Sequence, residues 1–217
     1  MIKVSNIHKS FGSVKVLKGI DLEIKKGELV AIVGASGAGK TTLLQIMGTL
    51  SSFDKGEIII HNTNIKTLKD SRLSKFRNQN IGFVFQFHYL LPEFTALENV
   101  SLPLLIQRQS RTKAEAKAKE ILSYLNLSHR LTHKPHQLSG GEQQRTAIAR
   151  ALITNPSVIL ADEPTGNLDS RNTQEIINLL KDLQQNMNQT IVIVTHNMEL
   201  ANATDKIFSI RDGKIIN

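Results

Sequence analysis

The chain has 217 residues, which is enough for one sizeable core but too few for two domains of ordinary size. It contains no cysteine, which excludes disulfides and thiolate metal sites and is typical of a cytosolic protein. The net charge of +8 permits binding to nucleic acid, anionic lipid or nucleotide, and the charge alone does not choose among them. No window approaches the about 18 consecutive apolar residues of a membrane span, and the first residues lack the apolar core of a signal peptide.

The N-terminal part is expected to form several short strands. Ile2–Val4, Val14–Leu17 and Ile20–Ile24 partly alternate apolar and polar residues, and Glu57–Ile60 follows later with the composition of a strand. Together they favour a small antiparallel sheet. Phe11 falls on a turn between the first two runs, where it can stack on a purine or serve as a core or hairpin aromatic. Its position alone favours the second role.

One segment fits the motif G-x-x-x-x-G-K-[ST] at every fixed position: Gly34-Ala35-Ser36-Gly37-Ala38-Gly39-Lys40-Thr41. A strand-like apolar run, Leu29–Val33, precedes it, and a predicted helix, Thr42–Met47, follows. Glycines let the backbone wrap closely around phosphates, whose charge the helix N-terminus and the Lys40 cation favour. The Thr41 hydroxyl is placed to bind Mg²⁺. The sequence therefore predicts a nucleoside triphosphate site.

The middle of the chain changes from strand to helix. A polar helix is predicted from about 67 to 80, followed by a buried strand, Ile81–Phe85, that ends at Gln86. Residues 87–94 are aromatic and apolar but lack a regular pattern, so they are either covered by a second subdomain or exposed for a partner. Residues 95–152 are expected to be helical.

A double glycine marks the start of the last helix in this region. Ser139 is a good N-cap and Glu142 follows three residues later, so a capping box that opens helix 141–152 is the purely structural interpretation. That interpretation leaves Gly140 and Gly141 unexplained. Two adjacent glycines before a helix also form a second concavity of the size of a phosphate.

Two further strands end in residues suited to catalysis. The run that begins at Val158 ends in Asp162 and Glu163, where an aspartate in a phosphate-loop protein holds Mg²⁺ and the glutamate can polarise an attacking water. A solvated strand end is the alternative. The strand Thr190–Val194 leads to His196, which is expected beside the carboxylates and is therefore interpreted as functional rather than structural.

These segments in this order resemble the nucleotide-binding subunit of ATP-binding-cassette (ABC) transporters over the whole chain. Leu138-Ser139-Gly140-Gly141-Glu142 matches the signature of that family. The resemblance implies an α/β fold with a P-loop NTPase (RecA-like) core, an N-terminal antiparallel β subdomain and an inserted α-helical subdomain. A single domain would then span 1–217, with the core and β subdomain at about 1–86 and 156–217 and the helical subdomain at about 87–155.

The resemblance also implies roles for the site residues. In a head-to-tail dimer, each ATP would lie between residues 34–42 of one copy, Thr42 included, and Ser139, Gly140 and Gly141 of the other. Phe11 would stack on adenine, although many relatives have tyrosine there. The remaining expected roles are contact with Mg²⁺ and the γ-phosphate for Gln86, Mg²⁺ binding for Thr41 and Asp162, general base for Glu163 and positioning of the γ-phosphate and water for His196. Asn197 departs from the aspartate that relatives often carry, which affects fine geometry rather than activity.

Three stretches are similar to the lipoprotein-releasing group of ABC ATPases: Phe85–Val100, Arg130–Glu142 and Ala161–Asp169. This similarity implies a peripheral ATPase on the cytoplasmic face of the inner membrane, with permease subunits contacting residues of about 86–100. ATPases of macrolide-efflux and cell-division complexes are the close alternatives. Members of the superfamily that act on DNA or ribosomes carry a long coiled coil or two cassettes, for which this chain has no room, so no nucleic acid partner is expected.

Overall fold

The computed structural model describes residues 1–216. The strands are β1 (Ile2–Phe11), β2 (Val14–Ile24), β3 (Leu29–Val33), β4 (Lys55–Ile60), β5 (Thr63–Asn64), β6 (Ile81–Phe85), β7 (Val158–Asp162), β8 (Thr190–Val194), β9 (Lys206–Arg211) and β10 (Lys214–Ile216). The α-helices are α1 (Lys40–Met47), α2 (Asp70–Asn80), α3 (Ala96–Ile106), α4 (Arg111–Tyr124), α5 (Gly140–Leu152), α6 (Ser170–Met187) and α7 (Met198–Asn202).

The phosphate-loop strand β3 lies inside a six-stranded sheet of order β10-β9-β3-β8-β7-β6. Strands β3, β6, β7, β8 and β9 are parallel, and β10 pairs antiparallel with β9. The carboxyl ends of parallel strands meet at one edge of a sheet, where ligands of open α/β sheets bind. This topology places the segments that follow β3, β6, β7 and β8 at the same edge.

The predicted antiparallel sheet is present, with the strand order β2-β1-β4-β5. Its first two strands are longer than the sequence pattern indicated. Val14–Leu17 and Ile20–Ile24 belong to one strand that continues through Gly19, whose φ is 86°. The pairing of β1 with β2 contains register shifts, which allow a long strand to pass an irregular residue.

The six-stranded sheet buries both of its faces. Val30, Ile32 and Val192 pack with the antiparallel sheet and α1 in one core cluster. Leu29 and Ile191 point the other way and pack with the helices α3–α6 in a second cluster. Adjacent residues of one strand thus serve opposite faces, which explains why these strands are apolar throughout.

The helical predictions are confirmed with different bounds. The polar helix begins at Asp70 rather than near 67, because residues 65–67 form a 3₁₀ turn that the Asn64 side chain caps. The region 95–152 contains α3, α4 and α5 with two further 3₁₀ turns. Within residues 1–216, no helix combines the length and the apolar character that crossing a membrane requires.

Candidate active site

The loop Gly34–Thr41 wraps tightly between β3 and α1. Gly39, the N-cap of α1, has a φ of 103°, and a Cβ at Gly34 would lie 2.2 Å from the carbonyl oxygen of Ile210, so both positions require glycine. The Lys40 ammonium donates hydrogen bonds to the carbonyl oxygens of Gly34 at 2.8 Å and Ala35 at 3.0 Å. The loop therefore places the Lys40 cation beside the N-terminus of α1. Both the cation and the helix N-terminus attract an anion such as a phosphate.

A hydroxyl and a carboxylate meet beside this loop. Thr41 Oγ1 donates a hydrogen bond to Asp162 Oδ1 at 3.2 Å, and this bond joins the first turn of α1 to the end of β7. Burial raises the pKa of Asp162, and the hydrogen bond from Thr41 opposes this effect. Such oxygen donors suit a hard divalent cation. Within residues 1–216, no three histidine, cysteine, aspartate or glutamate side chains lie close enough together to hold a metal ion by themselves.

Glu163 is fixed by the neighbouring strand. It follows β7 with a φ of 46°, and its N–H donates to the carbonyl of Val194 at 2.8 Å. Its carboxylate accepts hydrogen bonds from Thr195 Oγ1 at 3.0 Å and from the backbone N and Nδ1 of His196 at 3.0 and 2.8 Å. The Glu163 side chain is 15 % exposed, whereas that of His196 is 73 % exposed. A carboxylate so oriented can accept a proton at a defined place.

These groups share a pocket of about 470 Å³. The residues that line it are Phe11, Val16, Ser36, Gly37, Gly39, Lys40, Thr41, Thr42, Glu163 and His196. The structure thus brings the predicted loop residues together with the predicted base and histidine. Gly34, Ala35 and Ala38 line a separate cavity between the loop and the β9–β10 hairpin, and the side chain of Ala38 is buried.

Phe11 is the last residue of β1, and its side chain is 54 % exposed. It lines the pocket, and Lys9 Nζ lies 5.0 Å from its ring centroid. Phe11 is therefore not a core aromatic, but it does lie at the β1–β2 hairpin, where it pairs with Val14. An exposed ring at the mouth of a phosphate pocket is available to stack on a base.

Gln86 lies directly after β6, beside the end of β7 that carries Asp162. Its Nε2 donates to Asn167 Oδ1 at 3.1 Å, and Asn167 Nδ2 donates to the Gln86 carbonyl at 3.1 Å. This reciprocal pair ties the start of the aromatic segment to the turn before α6. Gln86 does not line the loop pocket itself.

The double glycine lies inside the first turn of α5 rather than before it. Ser139 is the N-cap and forms the predicted capping box with Glu142. A Cβ at Gly141 would lie 2.2 Å from Asn172 Oδ1, whereas one at Gly140 would meet only Leu168 Cδ2 at 3.5 Å. Packing against α6 therefore explains Gly141 and leaves Gly140 unexplained. Ser139, Gly140 and Gly141 do not line the loop pocket of their own chain.

The segment 87–94 exposes most of its large apolar side chains: Phe87, Tyr89, Leu91 and Phe94. Its backbone is nevertheless well anchored. Arg150 of α5 donates to the carbonyl oxygens of His88 at 2.7 Å and Tyr89 at 2.6 Å. The buried Asn99 donates to the carbonyl of Leu91 at 3.1 Å. The segment thus presents an apolar surface on a fixed backbone.

Sequence reasoning missed several residues that shape the site. Thr195 and Asn167 stand next to predicted residues, but their contacts join segments about 30 and 80 residues apart in the chain. Asn99 had a readable signal, because a polar residue among the apolar residues of α3 must find partners if it is buried. Arg150, near the end of α5, lies in no sequence pattern that predicts its contacts with residues 88 and 89.

A family model described as ABC transporter matches residues 17–166, which include the loop, the signature and Asp162-Glu163. This chain belongs to the ABC transporter family. It is 59 % identical over 216 residues to the lipoprotein-releasing system ATP-binding protein LolD of Bacteroides fragilis, covering 100 % of both chains. It is 58 % identical to the protein of the same name from Bacteroides thetaiotaomicron, covering 99 % of each.

Solved structures agree with this assignment. The dimeric structure of MJ0796, a bacterial ABC transporter cassette, matches with a TM-score of 0.91 and 44 % identity, covering 100 % of this chain and 97 % of that one. A post-hydrolysis state of the same cassette, bound to ADP and Pi, matches with a TM-score of 0.91 and 43 % identity over the same shares. The predicted family and the P-loop NTPase fold are confirmed, and the chain is an ABC ATPase.

Proposed function

We propose that this chain is the ATP-hydrolysing subunit of an ABC transporter that releases lipoproteins from the bacterial inner membrane. The observation that carries the cargo assignment is the 54 to 59 % identity, over almost the whole chain, to proteins named for lipoprotein release. The chemistry rests on the pocket that combines the loop cation with an oriented carboxylate.

ATP would bind with its phosphates on the loop and its adenine on Phe11. The N–H groups of residues 34–42 and the N-terminus of α1 would surround the phosphates, and Lys40 would exchange its carbonyl contacts for phosphate oxygens. The exposed ring of Phe11 lines the same pocket and would stack on the base. Binding would therefore depend on charge at one end and on an aromatic surface at the other.

Mg²⁺ would be held by Thr41, Asp162 and Gln86. The hydroxyl and carboxylate that meet at 3.2 Å offer the hard oxygen ligands this cation takes, and the Gln86 amide oxygen is not used in its hydrogen bond to Asn167. When bound, the ion supplies neutralisation of phosphate charge.

Glu163 would act as the general base that takes a proton from the attacking water. Its carboxylate is oriented by Thr195 and His196 at the wall of the pocket, so the proton would arrive on a fixed oxygen. His196 Nδ1 must donate to this carboxylate, which in the neutral ring leaves Nε2 to accept a hydrogen bond from the water. A hydrogen bond to the γ-phosphate would require the doubly protonated ring, in which both nitrogens donate. Glu163 and His196 together would place the water for attack.

The site would be completed by a second copy in a head-to-tail dimer. Ser139 and Gly140 are exposed and lie outside the pocket of their own chain, at a helix N-terminus suited to phosphate. Together with Gly141 they would contact the ATP that the other copy holds. The similar cassette MJ0796 is known in a dimeric form, which supports this arrangement.

The membrane partner would dock on residues of about 86–100. The exposed apolar side chains of 87–94 form the surface, and α3 begins behind them. The ATPase would then sit peripherally on the cytoplasmic face of the inner membrane, without a nucleic acid partner. Residues 87–155 would act as the helical subdomain, and residues 1–86 and 156–217 as the core with its β subdomain.

Reconstitution of this chain with its permease subunits in proteoliposomes tests which cargo the complex releases. ATP should release a lipoprotein from the vesicles to a soluble acceptor, and the same complex with Lys40→Ala should release none, because its nucleotide site lacks the cation. Release of a macrolide from the vesicles, with the lipoprotein retained, would contradict the proposal and favour an efflux complex.

A further inference from the structure

The first turn of α5 owes its shape to the carboxylate of Glu142. Glu142 Oε2 accepts the N–H of Ser139 at 2.8 Å, and Ser139 Oγ accepts the N–H of Glu142 at 3.3 Å. The proton of the serine hydroxyl is within reach of the same carboxylate, and this side-chain contact helps to lower the pKa of Glu142. The position of the Glu142 carboxylate therefore decides where that hydroxyl and the N–H groups of Gly140 and Gly141 point.

Arg130 holds the other oxygen of this carboxylate. Its Nε donates to Glu142 Oε1 at 2.7 Å, and the Glu142 side chain is only 11 % exposed. Burial by itself would raise the pKa of Glu142, but the hydrogen bonds from Ser139 and Arg130 outweigh this effect and lower the pKa to about 2. Both oxygens are thus paired, and the carboxylate stays ionised in a nearly buried place.

Arg130 is itself held from the opposite side. Its Nη1 lies 3.1 Å from His133 Nε2, and the His133 carbonyl accepts the N–H of Ala96 at 2.8 Å. A guanidinium can only donate, so Nε2 accepts and the proton sits on Nδ1, which is buried and has no hydrogen-bond partner within residues 1–216. The histidine thus forgoes a hydrogen bond to support Arg130, a cost that a surface ion pair would not require.

We propose that Arg130 is a positioning residue for ATP hydrolysis. Through Glu142 it holds the residues Ser139–Gly141 in the shape that meets the ATP of a second copy, so it acts on a nucleotide that its own chain does not bind. The inference rests on the proposed dimer. Without Arg130, the carboxylate loses its guanidinium donor, and Oε1 keeps only His129 Nε2, at 3.6 Å. The carboxylate can then turn away from Ser139, which loosens the first turn of α5.

The test uses Glu163→Gln as the parent, in which ATP should persist long enough for the dimer to be measured. Adding Arg130→Gln should weaken ATP-dependent dimerisation, measured by light scattering, about tenfold for each of the two ATP sites, the cost of one hydrogen bond to a charged group, and thus about a hundredfold for the dimer. ATP affinity at protein concentrations too low for dimerisation should not change. Arg111→Gln is the matched control, since it removes a 2.6 Å ion pair with Glu115 on α4 and a 3.9 Å ion pair with Glu98 on α3, neither of which involves Glu142.

A double variant separates positioning from charge burial. Arg130→Gln with Glu142→Gln places two amides in contact and leaves no unpaired carboxylate, so dimerisation should recover part of the loss. If Arg130→Gln does not fold, Arg130→Lys takes its place and should dimerise more weakly than the parent.

Two results would overturn the inference alone: unchanged dimerisation in the Arg130 variant, or a parallel fall in ATP affinity of the monomer. A parent that binds ATP but stays monomeric would instead overturn the proposed dimer, and this inference with it.

Discussion

Replacing Glu163 with glutamine should remove catalysis and leave the structure intact. The carboxylate accepts two hydrogen bonds from His196 at the same oxygen, Oε1, and one from Thr195 at Oε2. In glutamine, the amide oxygen can keep both contacts to His196. The amide nitrogen then faces the Thr195 hydroxyl, which can accept as well as donate. The substitution thus keeps the contacts and loses only the ability to take a proton.

The size of each effect follows from these contacts. General base catalysis contributes about 10²–10⁴-fold, or roughly 3–5 kcal/mol of the activation barrier, and this should be lost in Glu163→Gln. The free energy of unfolding should change by less than about 1 kcal/mol. Glu163→Ala is the matched variant, because it leaves the donors of Thr195 and His196 without an acceptor and should lower that free energy by about 1–3 kcal/mol.

Phosphate release at saturating ATP measures the hydrolysis rate of each variant, and urea unfolding measures its free energy of unfolding. Both the alanine and the glutamine variant should be inactive, and only the alanine variant should be less stable than the natural protein. A glutamine variant that hydrolyses ATP within a few-fold of the natural rate would refute Glu163 as the base. A glutamine variant that unfolds as readily as the alanine variant would refute the contact argument.

Three further predictions test the site piece by piece. Gly141→Ala should lower the melting temperature, because its Cβ would meet Asn172 Oδ1 at 2.2 Å, whereas Gly140→Ala should not, because its Cβ would make only an ordinary contact with Leu168 Cδ2 at 3.5 Å. Equal melting temperatures of the two variants would contradict this explanation of the double glycine. The pKa of Glu142 is lowered from 4.5 to about 2, so the stability that its ionised carboxylate contributes is full above pH 4.5 and is lost as the pH falls through 2. The difference in unfolding free energy between the natural protein and Glu142→Gln is at most about 3 kcal/mol and should shrink over this pH range. A difference that stays constant with pH would contradict the ion pair. Phe11→Ala should weaken ATP binding by about 1–3 kcal/mol in calorimetry and leave tripolyphosphate binding unchanged, with Phe11→Tyr as the control; an equal loss for both ligands would exclude stacking.

The sequence predicted the parts of the site that local patterns encode. The phosphate loop, its strand and its helix follow from residues 29–47 alone, since glycines at fixed spacing have few other uses next to a strand and a helix. The capping box at Ser139 is equally local, and the structure contains it. Asp162, Glu163 and His196 could be placed together because parallel strands end at a common edge.

What the sequence could not predict depends on contacts between distant segments. Gly19 looks like the end of a strand, and only pairing with β1 shows that β2 passes through it. Phe11 could not be assigned because its exposure depends on where β1 lies relative to the loop. The hydrogen bond from Arg150 to the carbonyl of His88 joins residues 62 positions apart, and no local sequence pattern predicts it.

The central claim is that the loop Gly34–Thr41 of one copy and residues Ser139–Gly141 of another copy form one ATP site. The chain has no cysteine, so single cysteines can be introduced without interference. Two differently tagged Glu163→Gln chains, one with Ser13→Cys in the turn beside Phe11 and one with Gln137→Cys, both at exposed positions, are mixed with a bifunctional maleimide. The account predicts a crosslink between the two different chains that requires ATP. A crosslink that forms equally without ATP, or only between two Ser13→Cys chains, would contradict it.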